Sequence, residues 1–90
     1  MSLPVDAMNI QLTSGERFFR GLIREPDGPG EYVIVSKAVK ALAERMATKE
    51  ADRRNWDWFV EHCRVEGNGV DQQIVVIEQW SSLAGHEIFE

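Results

Sequence analysis

The 90-residue chain contains one cysteine, Cys63, and two histidines, His62 and His86. A single cysteine cannot form an intramolecular disulfide, which favours a reducing compartment. The three side chains show no CxxC, HxxxH or HExxH spacing, so the sequence predicts no metal site. The longest apolar runs, 32–35 and 74–77, are too short to cross a membrane, and no secretory signal is visible. We therefore expect a cytoplasmic protein that does not contact a membrane.

Phosphate-binding loops and catalytic constellations are also missing. The glycines of "DGPGE" and "GNGVD" match neither GxGxxG nor GxxxxGK[ST], and neither segment leads into a helix. Glu61, His62 and Cys63 are adjacent, but neighbouring helical residues diverge by about 100°, so His62 would not face the thiol as a base. The acidic residues are spread over several predicted elements instead of meeting in one pocket. The sequence thus predicts no catalytic residue, no cofactor and no enzymatic activity.

The net charge of −5 is unevenly distributed: residues 1–36 carry −2, residues 37–56 carry +3 and residues 57–90 carry −6. Basic groups near aromatic surface can contact phosphates while the rings stack on bases. Against nucleic-acid binding stand the interleaved acids, a pI near 5.0 and the absence of an RNP, helix-turn-helix or KH signature. Nucleic-acid binding is therefore the alternative function, through a candidate basic patch of Lys37, Lys40, Arg45, Lys49, Arg53 and Arg54.

Three strands are predicted in the first half of the chain. Residues 9–13 alternate as a short strand should, and "SG" follows as a tight turn. Residues 16–25 continue as a second strand, and "PDGPG" is the clearest loop, because proline and glycine favour turn dihedrals. The β-branched run 31–36 is then a third strand. This order predicts an antiparallel meander.

The middle of the chain is rich in helix-forming residues. Ser36 is a suitable N-cap for a helix that runs from Lys37 to Ala47. No glycine or proline interrupts the chain before "EGNG", so a continuous helix is possible. However, the apolar faces of residues 38–46 and 56–63 differ by about 80° on one helical wheel. We therefore expect two helices, with one kinked helix as the alternative.

Residues 72–80 are predicted to form a fourth strand, after "EGNG" ends the helical region. Residues 81–90 are a C-terminal tail, either one helical turn or an extended arm. Residues 1–7 are expected to be a flexible N-terminal arm or a remnant of cloning. The chain is thus predicted to be one α+β domain, 1–90, ordered β-β-β-α-α-β. It would have a four-stranded, mainly antiparallel sheet with two helices on one face.

The segment "RRNWDWFVEHC", residues 53–63, holds two tryptophans and a phenylalanine within four positions. On a helical wheel, one face of this segment is apolar, as is typical of a stripe that faces a core. The thiol of Cys63 lies on that face, so we expect it to be structural and weakly reactive. That face consists of Trp56, Phe59, Val60 and Cys63. Trp58 points to the opposite side, where an exposed indole usually covers a loop, a subunit or a partner. The candidate interaction surface is therefore Trp58, His62 and Val65.

The runs at 32–35 and 74–77 are apolar on both sides of their predicted strands, although a sheet with one solvated face should alternate. Two short helices cover only one face of such a sheet, so we expect a second copy of the chain to cover the other. The leading hypothesis is a small acidic, non-enzymatic protein–protein interaction module that acts as a homodimer. Its class would be the accessory, adaptor or inhibitor proteins common among small bacterial or phage proteins, with an unidentified protein partner.

Overall fold

The computed structural model describes residues 13–83 and 85–89, which form five strands and one helix. The chain is a small α+β domain with an antiparallel sheet. A single 3-10 turn at Gly69–Asp71 joins the third and fourth strands. In chain order the elements are β1 Arg17–Arg24, β2 Glu31–Ala38, α1 Lys40–Arg54, β3 Asp57–Glu66, β4 Gln73–Ser81 and β5 Gly85–Ile88.

The strands lie in the order β2-β1-β3-β4-β5, and every neighbouring pair is antiparallel. β1 and β3 pair without interruption from Arg17↔Arg64 to Arg24↔Asp57. The other pairings contain irregularities: the register shifts twice along β2, at Ile34 and Lys37, and once along β4, at Ile77. These β-bulges interrupt the alternation of side chains. The shifts at Ile34 and Ile77 fall in the two apolar runs, 32–35 and 74–77, and the shift at Lys37 lies just after the first run.

Two predicted turns are confirmed. The backbone N–H of Glu16 donates to the Thr13 carbonyl at 2.8 Å, and Gly15 between them has a φ of 88°. A positive φ is readily adopted by glycine, which has no Cβ to clash. The loop after β1 is closed by a 2.8 Å hydrogen bond from the Glu25 N–H to the Gly30 carbonyl.

The helix lies unusually close to the sheet where it crosses Gly21 of β1. A Cβ atom at Gly21 would stand 2.6 Å from the Ala43 carbonyl oxygen and 3.2 Å from the Ala47 Cβ. The buried side of α1 consists of alanines one turn apart, and Ala51 continues the row. Ile23 and Val60, next to this contact, are fully buried. Small residues therefore allow α1 to pack directly on the centre of the sheet.

The opposite face of the sheet also contains buried side chains. Phe18, Cys63 and Val65 form a core cluster, and the half-buried Val76 packs against it. Because successive strand residues point to opposite faces, these residues lie away from α1. The sheet thus buries apolar groups on both faces.

The prediction of two helices and four strands is wrong, and the error lies in "RRNWDWFVEHC". The helix ends at Asn55, which adopts a left-handed conformation with a φ of 61°. The backbone N–H of Asn55 donates to the Asp52 carbonyl, and that of Trp56 donates to the Ala51 carbonyl. Asparagine tolerates this conformation, and it closes a helix as glycine does. The chain then continues as β3, so the predicted second helix does not form.

The beginning of α1 also differs from its prediction. Ser36 and Lys37 belong to β2, and Val39 is the N-cap, without a side-chain hydrogen bond. At the end of the chain, the expected tail contains β5, so the extended alternative applies. The strand predicted at 9–13 lies outside the described residues except for Thr13, which belongs to the turn before β1. The arm at 1–7 lies outside them entirely.

The predicted stripe on Trp56, Phe59, Val60 and Cys63 does not survive the change from helix to strand. Phe59 and Cys63 lie on the face away from α1, whereas Val60 lies on the helix side. Trp56 precedes the strand and is half-buried, and its ring stacks on Tyr32 at a centroid distance of 5.8 Å. Among the described residues, no helix is long and apolar enough to span a membrane.

Candidate functional site

One part of the sheet on the helix side is left uncovered. The helix packs against β1, β2 and β3, and within 13–83 and 85–89 it makes no comparable contact with β4 or β5. The register pairs Glu78 with Ile88 and Trp80 with His86, and partners in an antiparallel pair project to the same face. Glu78 also pairs with His62 of β3, which places this set on the helix side. We name Glu78, Trp80, His86 and Ile88 the β4–β5 surface.

Two imidazoles meet one carboxylate on this surface. His62 Nδ1 lies 3.0 Å from Glu78 Oε1, and His86 Nε2 lies 3.1 Å from Glu78 Oε2. The two contacts join three neighbouring strands, because His62 is on β3, Glu78 on β4 and His86 on β5. The carboxylate accepts a hydrogen bond from each ring when the facing nitrogen carries a proton.

Each imidazole is also stacked on an aromatic ring. Phe19 lies over His62 at 4.4 Å between centroids with an interplanar angle of 9°, and Trp80 lies over His86 at 4.8 Å and 5°. The Lys40 Nζ, from the first turn of α1, stands 4.3 Å from the centre of the Trp80 ring. Such contacts favour a fixed arrangement of rings. The β4–β5 surface is therefore an ordered surface of aromatic, imidazole and apolar groups.

The two histidines affect the ionisation of Glu78. Hydrogen bonds, first from His62 and then from His86, hold the pKa of the Glu78 carboxyl below its ordinary value. The hydrogen bonds favour the charged carboxylate, and they outweigh the opposite effect of partial burial. Glu78 is thus a carboxylate at neutral pH, and it links β3 to β5 from the strand between them.

The thiol is remote from this cluster. Cys63 follows His62 in β3, so its side chain points to the other face of the sheet, where it is fully buried. Burial raises the pKa of the Cys63 thiol to about 11, with a smaller raising effect from Glu61 and an opposing effect from Arg20. A protonated, buried thiol is a poor nucleophile and a poor metal ligand.

A partly buried polar network lies on the same face as Cys63. Glu61 is 7% exposed, and its two carboxylate oxygens accept from Arg20 Nε and from Gln79 Nε2, both at 2.9 Å. The network connects the adjacent strands β1, β3 and β4. Both oxygens of a nearly buried charge are therefore satisfied, which is what such a group requires to be tolerated.

A shallow cavity of about 350 Å³ lies where β1 begins and β2 ends, beside the first turn of α1. Its charged groups are already engaged in part: Lys37 Nζ is 2.8 Å from Glu16 Oε2, and Lys40 contacts Trp80. The bond to Lys37 is also the main cause that lowers the pKa of Glu16. The lining consists of Glu16, Arg17, Phe18, Phe19, Lys37, Ala38, Val39 and Lys40.

The predicted interaction surface is divided by the sheet. Trp58 and His62 are half-buried on the helix side of β3, whereas Val65 is fully buried on the opposite face with Phe18 and Cys63. Of the three, only His62 takes part in the cluster around Glu78. The backbone of Trp58 has a different role, because its N–H and carbonyl bond Ser82 at 3.2 Å each and fasten the β4–β5 turn.

The six basic residues do not form one patch around α1. Lys37 and Lys40 lie near its start, whereas Arg53 and Arg54 both pair with Glu50 near its end. A helical rise of 1.5 Å per residue separates the two groups by about 20 Å. Between them, Arg45 and Lys49 are exposed.

Sequence reasoning missed Glu78, Trp80 and Phe19, which are distant along the chain and meet only through strand pairing. The sequence offers no local signal for this cluster, since each imidazole meets its aromatic partner only across a strand pair, His62 with Phe19 and His86 with Trp80. Within the described part of the chain, no group of three or more His, Cys, Asp or Glu side chains is arranged to hold a metal ion. The contacts of the cluster around Glu78 are hydrogen bonds and ring stacking.

Comparisons with protein families, with curated proteins and with solved structures reveal no match to this chain. The function must therefore be argued from the geometry of the β4–β5 surface and its surroundings.

Proposed function

We propose that the chain is a small non-enzymatic interaction module that acts as a homodimer and uses the β4–β5 end of its sheet for contact. The observation that supports this proposal is the incomplete cover of the sheet by α1. The largest exposed apolar side chains near that end are Leu83, Ile88 and Phe89, which are 67%, 66% and 52% exposed. Apolar groups clustered at an uncovered sheet end are typical of protein contact sites.

The rigidity of the site supports the same proposal. The contacts of His86 with Glu78 and with Trp80 hold β5 in place before any partner arrives. A surface that is already ordered loses little conformational entropy when it binds. Association through β5 would therefore retain most of the free energy gained by burying its apolar side chains.

The arrangement of reactive groups favours binding over catalysis. Cys63 and His62 are on opposite faces of β3, and Glu78 is engaged by two imidazoles. A nucleophile and its base must lie within hydrogen-bonding distance of each other, which these positions do not allow for the thiol. The separation of the basic residues into two groups likewise gives no continuous track for a phosphate backbone.

Sedimentation velocity over a range of micromolar concentrations tests the proposal. A homodimer has twice the chain mass of 10.3 kDa, and its population should increase with concentration. A constant mass of 10.3 kDa over the whole range would reject it. Titration with single- and double-stranded oligonucleotides at low salt is the matched test of the alternative, and strongly salt-dependent binding would favour that function.

A further inference from the structure

The sheet face opposite α1 carries a group of buried apolar side chains. Phe18, Cys63 and Val65 form one cluster there, which we call the Phe18 cluster, and two of the three are fully buried. They point away from α1, because the helix packs on Gly21 and successive residues of a strand point to opposite faces. A sheet face in contact with water leaves such side chains accessible. Another part of the protein must therefore cover the Phe18 cluster.

The part of the chain that the structure describes does not supply this cover. Among residues 13–83 and 85–89, the one α-helix lies on the other face of the sheet, and the 3-10 turn at Gly69–Asp71 is exposed. Farther along the same face, the Arg24 guanidinium covers Phe59 at 4.2 Å from the centre of its ring. The Phe18 cluster is buried within a single chain, so its cover belongs to that chain and not to a second copy.

The buried strip on this face is narrow. Ile74 of β4 is paired with Val65 and shares its face, yet it is 39% exposed. Val33 of β2 is paired with the buried Leu22 and is 52% exposed. Burial therefore ends within one strand on either side of β1 and β3. Because neighbouring strands are about 4.8 Å apart, the cover is about 10 Å wide, which corresponds to one segment of chain and not to a second packed layer.

The chain enters β1 directly beside the Phe18 cluster. The Gly15 N–H donates to the Val65 carbonyl at 2.7 Å, and the Val65 N–H donates to the Glu16 carbonyl at 2.9 Å. The turn from Thr13 to Glu16 reverses the direction of the chain, which directs the preceding residues back along β1. From Phe19 onward β2 and β3 occupy both edges of β1, and α1 fills the helix side. The face that carries the Phe18 cluster is therefore the open route for the returning chain.

The sequence before this turn has the composition that such a cover requires. Met8, Ile10 and Leu12 are apolar residues at every second position. In an extended chain the three side chains project to one side, while Asn9 and Gln11 project to the other. Five extended residues span about 16 Å, which exceeds the width of the buried strip.

We propose that residues 8–12 lie across the sheet face opposite α1 and cover the Phe18 cluster with the side chains of Met8, Ile10 and Leu12. Burial of apolar surface on both sides of this contact gives the segment a hydrophobic driving force to stay on the sheet. The proposal goes beyond the proposed function and restricts it. The face opposite α1 is occupied within each chain, so a homodimer has the β4–β5 end left for its contact.

Methyl NOE spectroscopy on the full wild-type chain tests the proposal. Contacts are expected between the methyl groups of Val65 and those of Ile10 and Leu12. A mixture of isotope-labelled and unlabelled chains separates contacts within one chain from contacts between two copies. Contacts found only between copies would show that a second chain covers the Phe18 cluster, and the absence of any contact from residues 8–12 would assign the cover to another segment. Either result would overturn the proposal.

Cys63 supplies an independent reporter, because its thiol lies beneath the proposed cover. Ile10→Asp should accelerate modification of the native protein by a thiol reagent by about tenfold or more, since a carboxylate is not tolerated against an apolar cluster. Val70→Asp is the matched control: Val70 is fully exposed in the 3-10 turn, and the wild-type rate is expected. Circular dichroism establishes that both variants are folded.

The outcomes of this second experiment are equally distinct. An unchanged rate in a folded Ile10→Asp variant, or an equal acceleration in Val70→Asp, would contradict a cover formed by residues 8–12. If Ile10→Asp does not fold, the methyl contacts of the wild-type chain decide alone. None of these results depends on whether the chain dimerises, so the proposed function stands or fails separately in sedimentation.

Discussion

The sheet is stabilised in two different ways on its helix side. Beneath α1, Gly21 and three alanines bring backbone against backbone, and Ile23 and Val60 are fully buried between them. Beyond the helix, β4 and β5 are held by ring stacking and by the hydrogen bonds of Glu78. The half beneath α1 is stabilised by close packing of small residues, whereas the half formed by β4 and β5 is stabilised by ring stacking and hydrogen bonds.

This difference follows from access to water. Where α1 excludes solvent, free energy comes from close packing, which tolerates neither a gap nor an added atom. Where the sheet is uncovered, apolar side chains on their own would remain in contact with water and would gain little stability from burial. Large rings and satisfied polar groups instead stabilise the strands there while leaving a surface for contact. The two halves should therefore respond differently to substitution, to pH and to chemical modification.

The largest effect is expected beneath α1. Gly21→Ala should lower the free energy of unfolding by about 3 kcal/mol, because the new Cβ would overlap the Ala43 carbonyl and force the helix away from β1. Chemical denaturation with circular dichroism measures this loss. Gly28→Ala is the control, since its nearest neighbour is the flexible carboxylate of Glu25. Equal losses in both variants would show that the close contact at Gly21 is unimportant.

A smaller loss is expected in the uncovered half. Trp80→Ala removes the stacking partner of His86 and the ring beneath Lys40, but the site is only half-buried. We expect a loss of about 1–2 kcal/mol, with a melting temperature lower by about 5–10 °C. Hydrogen exchange should show the loss of protection concentrated in β5. Protection lost equally beneath α1 would contradict the division into two halves.

The third prediction concerns pH. The lowered pKa of Glu78 means that its hydrogen bonds contribute stability that is present above the ordinary glutamate pKa and lost as pH falls through the folded value. Acid titration should therefore loosen β5 before the packing beneath α1. The measurement is the chemical shifts of the β5 amides over the acid range. In Glu78→Gln this acid-dependent change should disappear; an unchanged titration would rule out Glu78 as its cause.

The smallest effect on stability concerns Cys63, whose side chain is fully buried. With a thiol pKa of about 11, roughly one thiol in a thousand is ionised at pH 8. Modification by a thiol reagent should be slow in the native protein and fast in denaturant. Because the folded pKa is raised, the associated stability is present below the ordinary thiol pKa and is lost as pH rises toward 11. Equal rates in both conditions would contradict burial of this side chain.

Much of the fold was predictable from local signals. The predicted strands at 16–25, 31–36 and 72–80 correspond closely to β1, β2 and β4, and both predicted turns are present. Turn residues and β-branched runs carry their preference in a few neighbouring positions. The predicted first helix overlaps α1 but begins too early. Serine is a favourable N-cap residue, but Ser36 lies within β2 and caps no helix.

The failure at β3 has a specific physical cause. β3 lies between β1 and β4 and has buried residues on both faces, so its sequence does not alternate as an edge strand does. Its apolar positions therefore fit a helical wheel as well as a strand. Asn55 was the local signal for the end of α1, with basic residues in the preceding turn. Because no glycine or proline stands beside it, Asn55 alone did not indicate the end of the helix.

The candidate site was less accessible to sequence reasoning than the fold. The predicted helix places His62 beside Trp58, whereas its actual partners Glu78 and Phe19 come from other strands. Homodimerisation, the partner and the cellular location stay predictions, and sedimentation velocity over a range of concentrations addresses the first of them.

The amino-acid sequence by itself determined the α+β class, three of the strands, the turn before β1, the loop between β1 and β2, and the absence of metal-ligand spacing motifs. These properties depend on the dihedral preferences and polarity of neighbouring residues. The tertiary structure alone decided that residues 57–66 are a central strand, that 85–88 add a fifth, and that two distant histidines share one carboxylate. Strand pairing joins residues far apart in the chain. The stability of a strand therefore depends on the strand it pairs with as much as on its own residues.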